Sequence, residues 1–392
     1  MRSTGSAVKA VIRYRRPDPK CWEVVVRAAC SPLGSSWDAA KAVAQAGSAV
    51  SGHADRLAWA LATRLGNVEE LAVALAGMGD LRALPALRRI AEDDWVPLHV
   101  PWVPHLAALP AAELLPTMRA VLRQDPPKYH ASTAALELLA LWGPASAPAV
   151  PEVLPYLETA YAYDALRVLG RIGPAAAVAA DRLADFATGR APQARRHHPR
   201  LAAWAHWRAT GDPALALDVC GAAAASGSAS HGLPFLADLG PLAAAHADTV
   251  RRLMESPGAW TRVAAAHAYW RIAGDAEPAV PVLLAEVDPD WTGNPALPVR
   301  EAVRRLGEIG APAAAAAPLL RRILAADERL SHPYEHVRIL ADEAYVRTLT
   351  EAMARIGASA DGPVPIPGAV PVPGARRGLV ERWRGPRGGR TG

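Results

Sequence analysis

Three stretches of this 392-residue chain combine residue types that do chemistry. His-Pro-Tyr-Glu-His at 332–336 has the H-x-x-E-H order of one class of zinc peptidase, where two histidines hold a metal and the glutamate acts as base. Such a site needs a third protein ligand downstream, yet only 56 residues follow and Pro333 interrupts the motif. The stretch is therefore read as a loop leading into the last helix, with no metal site. Asp-Pro-Asp-Trp-Thr-Gly at 288–293 begins like a calcium loop, but its twelfth position is Val299, where the loop requires a bidentate glutamate. Its Trp291, a tryptophan in a polar loop, is instead a candidate contact for a partner.

The third stretch, 189–211, interleaves Arg190, Arg195, Arg196, Arg200 and Arg208 with His197, His198, Trp204 and Trp207. Arginine meets phosphates while an aromatic ring stacks a base, which is the chemistry of a nucleic-acid contact. The same residues also fit a solvated linker followed by a helix whose Trp207 packs between neighbours. The candidate partner-binding residues are Arg195, Arg196, His197, His198, Arg200 and Trp291. No carboxylate pair, Ser/His/Asp set, nucleophile elbow or Gly-rich phosphate loop can be assembled, so neither catalytic residues nor a cofactor are expected.

Charge distribution narrows the partner. The net charge is +5, but residues 1–20 carry +5 and residues 358–392 carry +4, which leaves 21–357 at −4. A nucleic-acid footprint along the body is thereby disfavoured. Cys21, Cys30 and Cys220 form no paired framework and fit a reducing cytoplasm. There is no apolar leader and no uncharged run long enough to span a bilayer. Lysine occurs only four times, against abundant alanine and arginine, a bias like that of a high-GC bacterial genome.

The elements that must position these residues are repeated. Gly143, Gly173, Gly211, Gly274 and Gly310 each have alanine eight residues earlier and a large apolar residue four earlier: Leu139, Leu169, Trp207, Trp270 and Leu306. That spacing is one face of an α-helix, and the glycine is expected to end it in the left-handed conformation. A proline- and alanine-rich turn and a second short apolar helix follow. Gly79, Gly240 and Gly357 keep part of the pattern, and the intervals between anchors run from 29 to 64 residues. One such pair cannot bury its own apolar face, so pairs must stack. The expected fold is all-α: an α-solenoid of eight or nine helical pairs over 55–357. Residues 1–54 form a basic segment and helical cap, and 358–392 a disordered Pro/Gly/Arg-rich tail.

VREAVRRLGEIGAPAAAAAPLLRRIL (299–324) and YDALRVLGRIGPAAAVAADRL (163–183) resemble HEAT repeats, of the bacterial type also seen in phycobilin-lyase-like, armadillo-like helical proteins. Val299 and Arg300 match that family's usual Val-Arg at a helix start, whereas Tyr163 and the stretch around Ala264 do not. The resemblance implies a non-enzymatic scaffold holding a protein or peptide along a concave surface. It leaves open a nucleic-acid-binding or DNA-repair-type protein, or a lyase on the same fold.

Overall fold

The computed structural model describes residues 3–31, 36–92, 103–124, 127, 129–190, 198–226, 232–332 and 337–357. Its helices are α1 (Thr4–Arg13), α2 (Pro19–Ala29), α3 (Trp37–Ala46), α4 (Ala54–Ala62), α5 (Val68–Gly77), α6 (Leu84–Glu92), α7 (Val103–Leu106), α8 (Ala111–Leu122), α9 (Tyr129–Trp142) and α10 (Val150–Val153). They continue as α11 (Ala162–Ile172), α12 (Ala180–Thr188), α13 (Pro199–Thr210), α14 (Ala214–Ala225), α15 (Leu233–Leu239), α16 (Ala247–Leu253), α17 (Ala259–Ala273), α18 (Ala279–Ala285), α19 (Val299–Ile309), α20 (Ala317–Ala325) and α21 (Arg338–Gly357). The fold is all-α and built of stacked helix pairs. Among the described residues no helix is long and apolar enough to cross a membrane.

Helix α19 shows how sequence becomes layer. Val299, Ala302, Val303, Leu306 and Ile309 are buried on one face, leaving Arg300, Glu301, Arg304, Arg305 and Glu308 on the other. The apolar face packs on α18 and α21, and the charged face looks away from the core. Gly310 stops the helix at φ 75°, ψ −135°. This is not the left-handed helical conformation expected from the sequence but the mirror image of extended backbone, open essentially to glycine alone. Gly173 does the same, because the Pro174 ring denies its neighbour a helical ψ. Gly211 and Gly274, each followed by aspartate, do take the left-handed form. The Pro/Ala turns after the first kind of glycine are short 3-10 helices, such as Gly173–Ala179, where small side chains tolerate the three-residue eclipse.

The odd-numbered helices from α3 to α21 form a row in which each packs on the next, and α21 returns to pack on α3. The row therefore closes on itself, with the even-numbered helices outside it. The seam is tied by buried polar groups. Asp342 of α21, with a fully buried side chain, accepts from Arg15 Nη2 at 2.9 Å and from Arg329 Nη1 at 3.0 Å. Arg329 Nε also donates to the Val11 carbonyl, and Gln45 Oε1 of α3 accepts the first free amides of α21, from Ile339 and Leu340. The 327–330 part of the loop before α21 thus serves the seam, pairing with residues 13–15 through Arg15 N to Asp327 O and Arg329 N to Arg13 O.

Candidate functional site

The inner face of the closed row carries a column of charge. Two residues before their extended glycines stand Arg171 on α11, Asp238 on α15 and Glu308 on α19. Helices α13 and α17 run one residue longer before their left-handed glycines, so Arg208 and Arg271 occupy the same place. The backbone confirms the register: Gly143, Gly173 and Gly240 face the carbonyls of Arg171, Arg208 and Arg271 respectively.

The extra residue also changes the tryptophans. Trp207 and Trp270, expected in the core, are only half-buried, because the longer helices rotate them off the apolar face. Trp204, three residues earlier, is the buried tryptophan of α13, 3% exposed. Its ring fills a notch opened by Gly170, where a Cβ would stand 2.1 Å from Cζ3. Trp204 Nε1 donates to Asp238 Oδ2 at 2.9 Å, and the Arg171 guanidinium lies 5.7 Å over the ring.

Several of the arginines in and around this column lack a carboxylate partner. Arg208 Nε and Arg271 Nε donate to the carbonyls of Gly170 and Ala237, at 3.4 and 3.2 Å. Arg171 makes no hydrogen bond or ion pair among the described residues. Solvent reaches Arg171, yet protein atoms surround it, as on a concave surface. Burial pushes its guanidinium pKa down, Asp238 opposes the shift, and the cations of Arg208, Arg167 and Arg304 add to it. Arg304 sits on α19, near enough for its charge to reach Arg171 of α11. On α19 the charges are paired: Arg304 and Arg305 to Glu301, Arg305 to Glu308, and His267 Nε2 of α17 to Glu308 at 3.0 Å. Burial holds His267 down near a pKa of about 4, and its Nε2, between Glu308 and the Arg305 Nη1 at 3.2 Å, donates or accepts according to its tautomer. Burial pushes the Glu308 carboxyl up, but the His267 hydrogen bond and Arg305 outweigh it and keep it well below the usual range.

The residues singled out from sequence are not gathered here. Arg195, Arg196 and His197 lie outside the described residues. His198 is exposed at the start of α13, edge-on to Tyr163 at 4.6 Å, and Arg200, the second residue of that helix, lies against Gly232. Trp291 is half-buried, donates Nε1 to the Asn294 carbonyl at 3.0 Å and meets Tyr345 edge-on at 4.9 Å. Of the His-Pro-Tyr-Glu-His stretch only His332 is described, and among the described residues no three side chains are placed to hold a metal. Sequence reasoning missed the column although a signal existed: Trp-Arg-x-x-Gly recurs at 207–211 and 270–274.

No family model matches this chain. No curated protein matches it either. What the residues themselves establish is a repeating helical-hairpin protein with a column of mixed charge, Arg171, Arg208 and Arg271 beside Asp238 and Glu308. Nothing in that column pairs a nucleophile with a base; what it offers is guanidinium groups for anions.

Proposed function

We propose that the protein is a HEAT-type scaffold that holds an acidic protein or peptide segment along the inner face of its helical ring. The observation that carries this reading is the column Arg171, Arg208 and Arg271, presented at one repeat position without carboxylate partners. Asp238 and Glu308 interrupt the column, so a partner's carboxylates must be spaced to match. The Val299-Arg300 helix start and the glycine-terminated pairs support the HEAT assignment. Three free, buried cysteines support a cytoplasmic location. The test is affinity capture from native cytoplasm by the wild type and by Arg171→Ala/Arg208→Ala/Arg271→Ala. The wild type should retain a stoichiometric acidic protein that the triple variant loses. Equal retention by both, or none by either, refutes the reading. The half-buried Trp207, with the Arg208 guanidinium 5.9 Å over its ring, favours nucleic acid as the second reading. Duplex binding that survives about 0.2 M salt would establish it, since weak phosphate contacts alone are lost there.

A further inference from the structure

A second basic place lies at the seam, apart from the column. Helices α3, α5, α7, α19 and α21 border a cleft of about 410 Å³. Its floor is tightly organised. The His105 ring of α7 is buried between Gly47 and Gly77, where a Cβ on Gly77 would stand 2.2 Å from Nδ1 and one on Gly47 3.0 Å from Cε1. Ala46, Ala108, Ala341 and Ala344 keep the walls low.

Two cations open into this space, Arg300 from α19 and Arg347 from α21. Neither makes a hydrogen bond or ion pair among the described residues. The carboxylate in the lining, Glu343, is already taken by Arg329 at 2.7 Å. Elsewhere at the seam Arg13, Arg15 and Arg329 all have carboxylate partners. Solvent reaches Arg300, yet the protein atoms around it lower its pKa, with Glu301 opposing the shift and the Arg304 cation adding to it; burial together with the Arg347 cation holds His105 near a pKa of about 4. Two forked donors converging on a cleft of small-ligand size recognise planar or tetrahedral oxyanions with more than one charge.

We propose that this cleft binds a small polyvalent oxyanion, held between Arg300 and Arg347. Because the walls come from both ends of the chain, the ligand bridges the seam and stabilises the closed ring by linkage.

Calorimetric titration of the full chain with pyrophosphate and with citrate tests it, the two separating a phosphate-bearing ligand from a polycarboxylate. At least one should bind, with chloride and acetate as weak competitors. Arg300→Ala and Arg347→Ala should each weaken binding by about tenfold or more, as for loss of one charged hydrogen bond. Both arginines are exposed, so the unliganded melting temperature should stay unchanged, while the ligand-induced rise in it disappears. Arg171→Ala should leave this binding intact, and Arg347→Ala should leave partner capture intact, so the two proposals fail separately. No binding by either anion, an affinity equal to the wild type's in either alanine variant, or equal competition by acetate overturns the proposal.

Discussion

Gly310 and Gly274 end corresponding helices in different conformations, and that difference is measurable. Gly310 is buried at φ 75°, ψ −135°; Gly274 is exposed at φ 73°, ψ 0°. A Cβ at Gly310 would stand 3.5 Å from the Arg355 carbonyl oxygen, an ordinary contact, and one at Gly274 would meet nothing within 4 Å. The cost of a side chain is therefore mainly backbone strain at both. At Gly310 the conformation is closed to every L-residue, so alanine and asparagine should each lose about 1–3 kcal/mol. At Gly274 alanine should lose about 1 kcal/mol, the left-handed penalty less the gain from a stiffer unfolded chain. Asparagine, which tolerates the left-handed region, should lose less than about 0.5 kcal/mol there. Urea denaturation of the four variants, with equal slopes and shifted midpoints, is the assay. If Gly310→Asn is no worse than Gly274→Asn, the two kinds of stop are not distinct and the repeat register drawn from them is wrong.

Other perturbations test the seam and the column. Asp342→Ala leaves the Arg15 and Arg329 cations buried without their shared acceptor and should cost about 3–5 kcal/mol; a smaller urea midpoint shift than that of Gly310→Ala would show that the seam does not hold the ring. Gly307→Ala should destabilise more than Gly170→Ala, since its Cβ would lie 2.7 Å from the Ala352 Cα, a backbone atom, whereas Gly170 meets the Trp204 ring. Gly170→Ala should nevertheless shift tryptophan emission to the red, and an unchanged spectrum would mean that Trp204 does not occupy the notch. His267 and His105 both have folded pKa values pulled down from 6.5 to about 4. The unfolded chain takes these protons first, so stability is complete above pH 6.5 and falls as pH drops from there toward 4. The slope should approach about 1.4 kcal/mol per pH unit for each histidine, and His267→Gln should flatten it.

The stacked pairs were legible because their cause is local. Alanine, leucine and isoleucine at helical spacing before a glycine must face a neighbour, and Ala165, Leu169 and Ile172 all do, fully or nearly fully buried. The closure was not legible. It rests on Arg15, Gln45, Arg329 and Asp342, drawn from opposite ends of the chain, and no periodicity links them. The one-residue extension of α13 and α17 was half legible: the aspartate after Gly211 and Gly274 marks it, as against the proline after Gly173. Without that distinction Trp207 is set at the place of Leu169, which the register gives to His206.

The same distinction relocates the candidate site. Residues where a repeat pattern breaks attract attention because packing does not explain them, as with the 189–200 linker, the Trp291 loop and the 327–336 insert. Packing accounts for part of this: Trp291 lies against Tyr345, and residues 327–330 pair with residues 13–15. In a repeat whose apolar columns are fixed by stacking, the polar columns beside them are free to vary at no cost in stability. Leu141, Arg171, Arg208, Asp238, Arg271 and Glu308 occupy one such column, and its content runs apolar, basic, basic, acidic, basic and acidic along the chain. A position that packing leaves unconstrained, repeated on every layer and turned toward the ring's interior, is where a binding preference can be written along a solenoid without altering its fold.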